Sequence, residues 1–105
     1  MSKKICFVSR HKDYVHDAMR SALGLAVENM YAYDTVLGVE IPLFDDYNRE
    51  NLEWIRDMEG EVYSDVDANV ETNELAKITI EELGQKMREM DVIVPYGIIW
   101  YLIHY

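Results

Sequence analysis

Four consecutive apolar residues, Ile5-Cys6-Phe7-Val8, give way to the polar stretch Ser9-Arg10-His11-Lys12-Asp13, after which apolar residues recur every three or four positions. This rhythm predicts a buried strand, a loop and an amphipathic helix. The helix, carrying Ala18, Met19, Ala22, Leu25, Ala26 and Met30, is expected over roughly residues 13 to 30 with Asp13 as its cap. Thr35-Val36-Leu37-Gly38-Val39 reads as a second strand that ends near Pro42, and Asp45-Asp46 opens the next loop. Asn48 is placed to cap a second helix with Leu52, Ile55 and Met58 on one face, and Gly60 stands where a left-handed stop is expected.

Val62-Tyr63-Ser64 forms a short third strand in this reading. Thr79 and Glu82 have capping-box spacing ahead of the stripe Ile80, Leu83, Met87 and Met90. Val92-Ile93-Val94 is a continuous apolar fourth strand, broken by Pro95-Tyr96-Gly97. Strands alternating with helices imply right-handed crossovers, and so one α/β domain over 1–105. The expectation is a three-layer sandwich with a parallel sheet of about four to five strands and helices on both faces. In such sheets, ligands sit beyond the carboxyl ends of the strands. The apolar tail at 98–105 is too short to span a bilayer, which takes about 20 residues. Its side chains Trp100, Tyr101, Ile103 and Tyr105 suit an edge element or a subunit interface.

Charge narrows the partners. Twenty acidic against ten basic residues give a formal net charge of -10, which opposes nucleic acid and anionic membrane surfaces. A single cysteine and the absence of a signal-peptide pattern after Met-Ser-Lys-Lys fit a cytoplasmic setting. Cys6 lies inside the first strand, where a thiol behaves as a small hydrophobe, and a phosphatase-type Cys-x5-Arg spacing is absent.

Ser9, Arg10 and His11, followed by Lys12, instead set a hydroxyl, an imidazole and two cations beside a helix start, a combination that suits a small anion. His11 and His16 lack zinc-protease spacing, so no metal is expected there. The run Asp65-Val66-Asp67-Ala68-Asn69 begins like a calcium loop. It fails at Val70 and Ala76, where glycine and a bidentate glutamate are needed, which leaves Asp65 and Asp67 as loop residues near the crevice. No Gly-x-Gly-x-x-Gly or Walker motif supports a nucleotide, and no cofactor is expected.

The order of elements, the small-residue helix Ser21-Ala22-Leu23-Gly24-Leu25-Ala26, the strand Val36 to Val39, and the ending Ile80-Glu81-Glu82-Leu83 to Val92-Ile93-Val94-Pro95-Tyr96-Gly97 resemble the DsrE/DsrF-like family. The likeness spans most of residues 3 to 97. It implies a small cytoplasmic α/β subunit that assembles into oligomers, and sulfur-relay members carry a persulfide on a cysteine just after the third strand. The corresponding stretch here, Val62-Tyr63-Ser64-Asp65-Val66, has no thiol. Neither a hydroxyl nor a carboxylate can carry a sulfane sulfur.

The expectation is therefore a non-catalytic subunit that oligomerises and binds a small anion or a protein partner at the loops after strands one and three. The first alternative is a small enzyme with His11 as general acid or base, Arg10 as anion clamp and Asp65 or Asp67 orienting substrate, which requires those two loops to converge. The second is an accessory subunit of a sulfur-transfer complex that orients a partner's cysteine.

Overall fold

A computed structural model describes residues 3–96. Its five strands are β1 (Lys4–Ser9), β2 (Tyr31–Val36), β3 (Glu61–Ser64), β4 (Ala76–Lys77) and β5 (Val92–Tyr96). A 3-10 turn over Lys12–Tyr14 precedes α1 (Val15–Val27), and the other helices are α2 (Asp46–Asp57), α3 (Asp67–Asn73) and α4 (Ile80–Arg88). All pairings are parallel, and the order across the sheet is β4-β3-β2-β1-β5.

The α/β architecture with a parallel sheet is as the alternating pattern implies, with one strand and one helix more than were read. The missed elements are α3, a seven-residue polar segment, and β4, only two residues long. Among the described residues, no helix is long and apolar enough to cross a membrane.

Several boundaries differ from the expectation, each for a local reason. The first helix does not start at Asp13. His11 caps the 3-10 turn through Nδ1, which accepts the Asp13 amide at 3.2 Å, and α1 begins only after Tyr14. The helix ends at Val27 because Asn29 takes a left-handed φ of 72°. The Met30 amide then reaches back to the Leu25 carbonyl, closing a Schellman motif. Strand two consequently starts at Tyr31 and stops at Val36, displaced toward the N-terminus from the expected Thr35 to Val39.

The same ending closes α2. Glu59, not Gly60, adopts the left-handed conformation, and the Gly60 amide bonds the Ile55 carbonyl at 2.9 Å. Gly60 is needed for space instead, since a Cβ there would stand 2.1 Å from the Ala32 carbonyl oxygen of β2. The cap of α2 is Asp45, whose carboxylate accepts the Asn48 amide at 2.8 Å, rather than Asn48 itself. The capping box at Thr79 and Glu82 forms as its spacing predicts. Pro95 does not break β5 but pairs opposite Val8, because an edge strand tolerates a missing donor.

The core lies between one sheet face and the packed pair α1 and α2. Ile5, Phe7, Ala32, Val36 and Val62 meet Val15, Ala18, Met19, Ala22, Leu52 and Ile55 there. Residues of opposite parity include Tyr33 and Tyr63, whose rings stack at 6.4 Å, and Lys86 of α4 lies 5.6 Å from the Tyr63 ring centre.

The segment joining β2 to α2 has no regular structure, yet its backbone is paired. Asn69 and Asn73, one turn apart on α3, are both fully buried. Asn69 accepts the Ile41 amide at 2.9 Å and donates to the Val39 carbonyl at 2.8 Å. Asn73 does the same with the Phe44 amide at 2.7 Å and the Pro42 carbonyl at 3.0 Å. Two primary amides thus take the place of a neighbouring strand.

Candidate functional site at the carboxyl edge of the sheet

From β1 the chain moves outward through β2, β3 and β4, and then crosses back to place β5 on the other side of β1. The reversal lies between β1 and β5, and a crevice at that point is the usual ligand position of an open α/β sheet. Ser9 ends β1 in register with Val36 of β2 and Tyr96 of β5. Arg10 and His11 therefore rise from the reversal point.

Arg10 is exposed and makes no ion pair or hydrogen bond among the described residues. His11 is half-buried, its ring 5.5 Å from Tyr14, with Nδ1 held by the Asp13 amide and 3.6 Å from the Asp13 carboxylate. An Nδ1 that accepts puts the proton of the neutral ring on Nε2. Tyr96 meets Phe7 at 6.2 Å and Tyr14 at 6.4 Å, both edge-on, so an aromatic wall borders the loop.

Ser9 itself is wholly buried and points into the fold, so its hydroxyl is not part of the exposed rim. Its neighbour is Asp34, opposite Phe7 in the sheet and also wholly buried. Burial pushes the Asp34 carboxyl up to about 8, while the Thr35 backbone and the Ser9 hydroxyl pull more weakly the other way. Neither carboxyl oxygen has a hydrogen bond of normal geometry, and the Ser9 hydroxyl has none either. Asp34 escaped the sequence reading, although an acid inside the strand-forming run Tyr31-Ala32-Tyr33-Asp34-Thr35-Val36 was a visible signal. Tyr14 and Tyr96 were missed as site walls because only the tertiary fold brings them together.

Asp65 and Asp67 belong to a different cluster. Asp65 accepts the Gly38 amide at 2.8 Å, and the Lys77 ammonium bonds both the Asp65 carbonyl at 2.8 Å and the Asp67 carboxylate at 2.6 Å. The register Ser9, Val36, Ser64 puts β2 between the two loops, a separation of about 10 Å at the usual strand spacing. Asp65 and Asp67 fasten β2, β3 and β4 together at this edge. The convergence that the enzyme alternative needs is not formed among these residues.

Cys6 is buried in β1, with its sulfur 3.6 Å from the Thr35 hydroxyl and its thiol pushed up to about 11, first of all by burial. His16 packs edge-on against Phe44 at 5.8 Å and is a packing residue. The interface candidates Trp100, Tyr101, Ile103 and Tyr105 lie outside the described residues.

Two cavities open at the opposite end of the sheet. One, of about 290 Å³, is lined by residues that include Asn29, Tyr31, Asp57 and Glu59. The other, of about 380 Å³, includes Lys4, Tyr33, Tyr63, Lys86 and Glu89. Both lie at strand starts and helix ends. The chain matches no family model, no curated protein and no solved structure.

Proposed function

We propose that this chain is a non-catalytic DsrE/DsrF-like subunit that assembles with copies of itself and holds a small anion or a partner's anionic group at the Arg10–His11 rim. The observation that carries this reading is the position of Arg10 at the β1/β5 reversal, exposed and uncommitted in a chain of net charge -10. A guanidinium presents a planar fork of donors that matches carboxylate and phosphate oxygens. The ligand loop is thus narrowed from the loops after strands one and three to the first of them.

The thiol supports a role without relay chemistry. With its value raised to about 11, Cys6 is almost entirely protonated at neutral pH, and the thiolate is the species that attacks a sulfur donor. Intact-mass measurement after incubation with a polysulfide donor should give no sulfur adduct on the folded protein. Sedimentation of the same sample should give a defined multiple of the 12.3 kDa protomer. A persulfide on Cys6, or a monomer at every concentration, would contradict the reading.

A further inference from the structure

The outer surface of α2 is divided by its helical spacing into stripes of different chemistry. Leu52 and Ile55 face the core, while Arg49 and Arg56 point toward Glu74 and Glu61, which they pair. The remaining surface carries Tyr47 and Trp54, 57% and 50% exposed, with Leu43 at 66% just before the helix. Tyr47 and Trp54 are seven residues apart, so they stand two turns apart on one stripe, about 10 Å along the axis. Next to that stripe runs a second one of exposed acids, Asp46, Glu50, Glu53 and Asp57, none of them in an ion pair among the described residues.

On the adjoining helix α1, Arg20 is paired with Asp17 and also reaches the Tyr47 hydroxyl. Exposed tyrosine and tryptophan bordered by uncompensated charge are what the centre and rim of a binding surface require. The acids select among occupants. A second copy would bring the same carboxylates against these, and like charges so placed repel. A basic occupant would neutralise them.

We propose that the α2 face of Leu43, Tyr47 and Trp54 is a docking site for a cationic amphipathic segment of a partner protein. Apolar side chains of that segment seat against Tyr47 and Trp54, and its lysines or arginines meet Glu50, Glu53 and their neighbours. The inference is independent of the Arg10–His11 rim and would stand if that reading failed.

The test titrates the labelled full chain with a synthetic helix that has leucines on one face and lysines flanking them. A control peptide carries glutamate at every lysine position. Amide shifts should map to residues 43–57 with the cationic peptide only, and the affinity should fall steeply as salt rises. Trp54→Ala should weaken binding by about tenfold or more, the scale of an aromatic anchor. The charge-reversed pair Glu50→Lys and Glu53→Lys should weaken it while leaving the thermal midpoint unchanged.

Equal binding of the acidic peptide would overturn the proposal, as would shifts elsewhere or a charge-reversed variant that binds as well. Shifts at Tyr47 and Trp54 that grow with protein concentration alone would assign the face to a second copy. Contacts between Trp54 and residues 98–105 would assign it to the chain's own tail. Either result would also overturn the proposal.

Discussion

Asp34→Asn is expected to stabilise the protein by about 2–4 kcal/mol at pH 7 and to remove the part of the pH dependence of stability between pH 4 and 8 that Asp34 contributes. The cause is the difference between the two states. An exposed aspartate in the unfolded chain loses its proton near its ordinary 3.8, whereas burial holds the folded-state value up to about 8. Between those limits the folded chain keeps a proton that the unfolded chain has released. The contribution of Asp34 to stability is therefore greatest below about pH 4, declines up to about pH 8, and levels off above it.

Three pH units between the unfolded value and neutrality correspond to about 4 kcal/mol, and an asparagine that must bury its own donors returns part of that. Urea midpoints of both proteins from pH 4 to 8 provide the check, with the asparagine variant gaining steadily on the natural protein as the pH rises from 4. A gap that is constant with pH would mean that Asp34 does not titrate as described.

Asn69→Ala is expected to cost about 3–5 kcal/mol, more than any loop residue with an exposed side chain would. It removes three hydrogen bonds from a wholly buried side chain, to the Ile41 amide, the Val39 carbonyl and, at 3.1 Å, the Ser64 hydroxyl. The Ile41 amide and Val39 carbonyl lose their partner, and each buried orphan costs about 1–3 kcal/mol, with the lost packing of the amide added. Ser64 is tied in as well, donating to the Val36 carbonyl at 2.9 Å and accepting the Val66 amide at 3.1 Å.

Asn73→Ala, with two such bonds, should cost less. Denaturation should show the loss, and amide exchange should show Ile41 unprotected well below the global unfolding free energy. A loss under about 1 kcal/mol with Ile41 still protected would mean that backbone or solvent satisfies the segment without α3.

These two residues also show where sequence reasoning reached and where it stopped. The strand Ile5 to Val8 and the Thr79 capping box were legible because each is a local pattern, an apolar run or a fixed spacing of two side chains. The start of β2 was not, because the helix before it ends on Asn29 in a left-handed turn, and an asparagine inside an apolar period does not reveal which conformation it takes. Asn69 and Asn73 look like turn residues in composition. Their structural role exists only once α3 lies against the segment from Val39 to Phe44.

The candidate site divides in the same way. Arg10 and His11 were found because their loop follows a clear strand, and in the fold they rise from the reversal point of the sheet. Asp65 and Asp67 satisfied the same rule of position, but Lys77 and the Gly38 amide engage them in joining strands. Both Ser9 and Asp34 lie beneath the rim rather than on it, so the expected hydroxyl is replaced by an aromatic border of Tyr14 and Tyr96.

Whether an anion is held at this rim is decided by residue-resolved amide shifts during titration with inorganic phosphate. Shifts should concentrate at Arg10, His11 and Lys12 and spread to Tyr96, with saturation abolished by Arg10→Ala. Shifts gathered instead around Tyr33, Tyr63 and Lys86 at the opposite end of the sheet, or identical titrations of the natural and Arg10→Ala proteins, would contradict it.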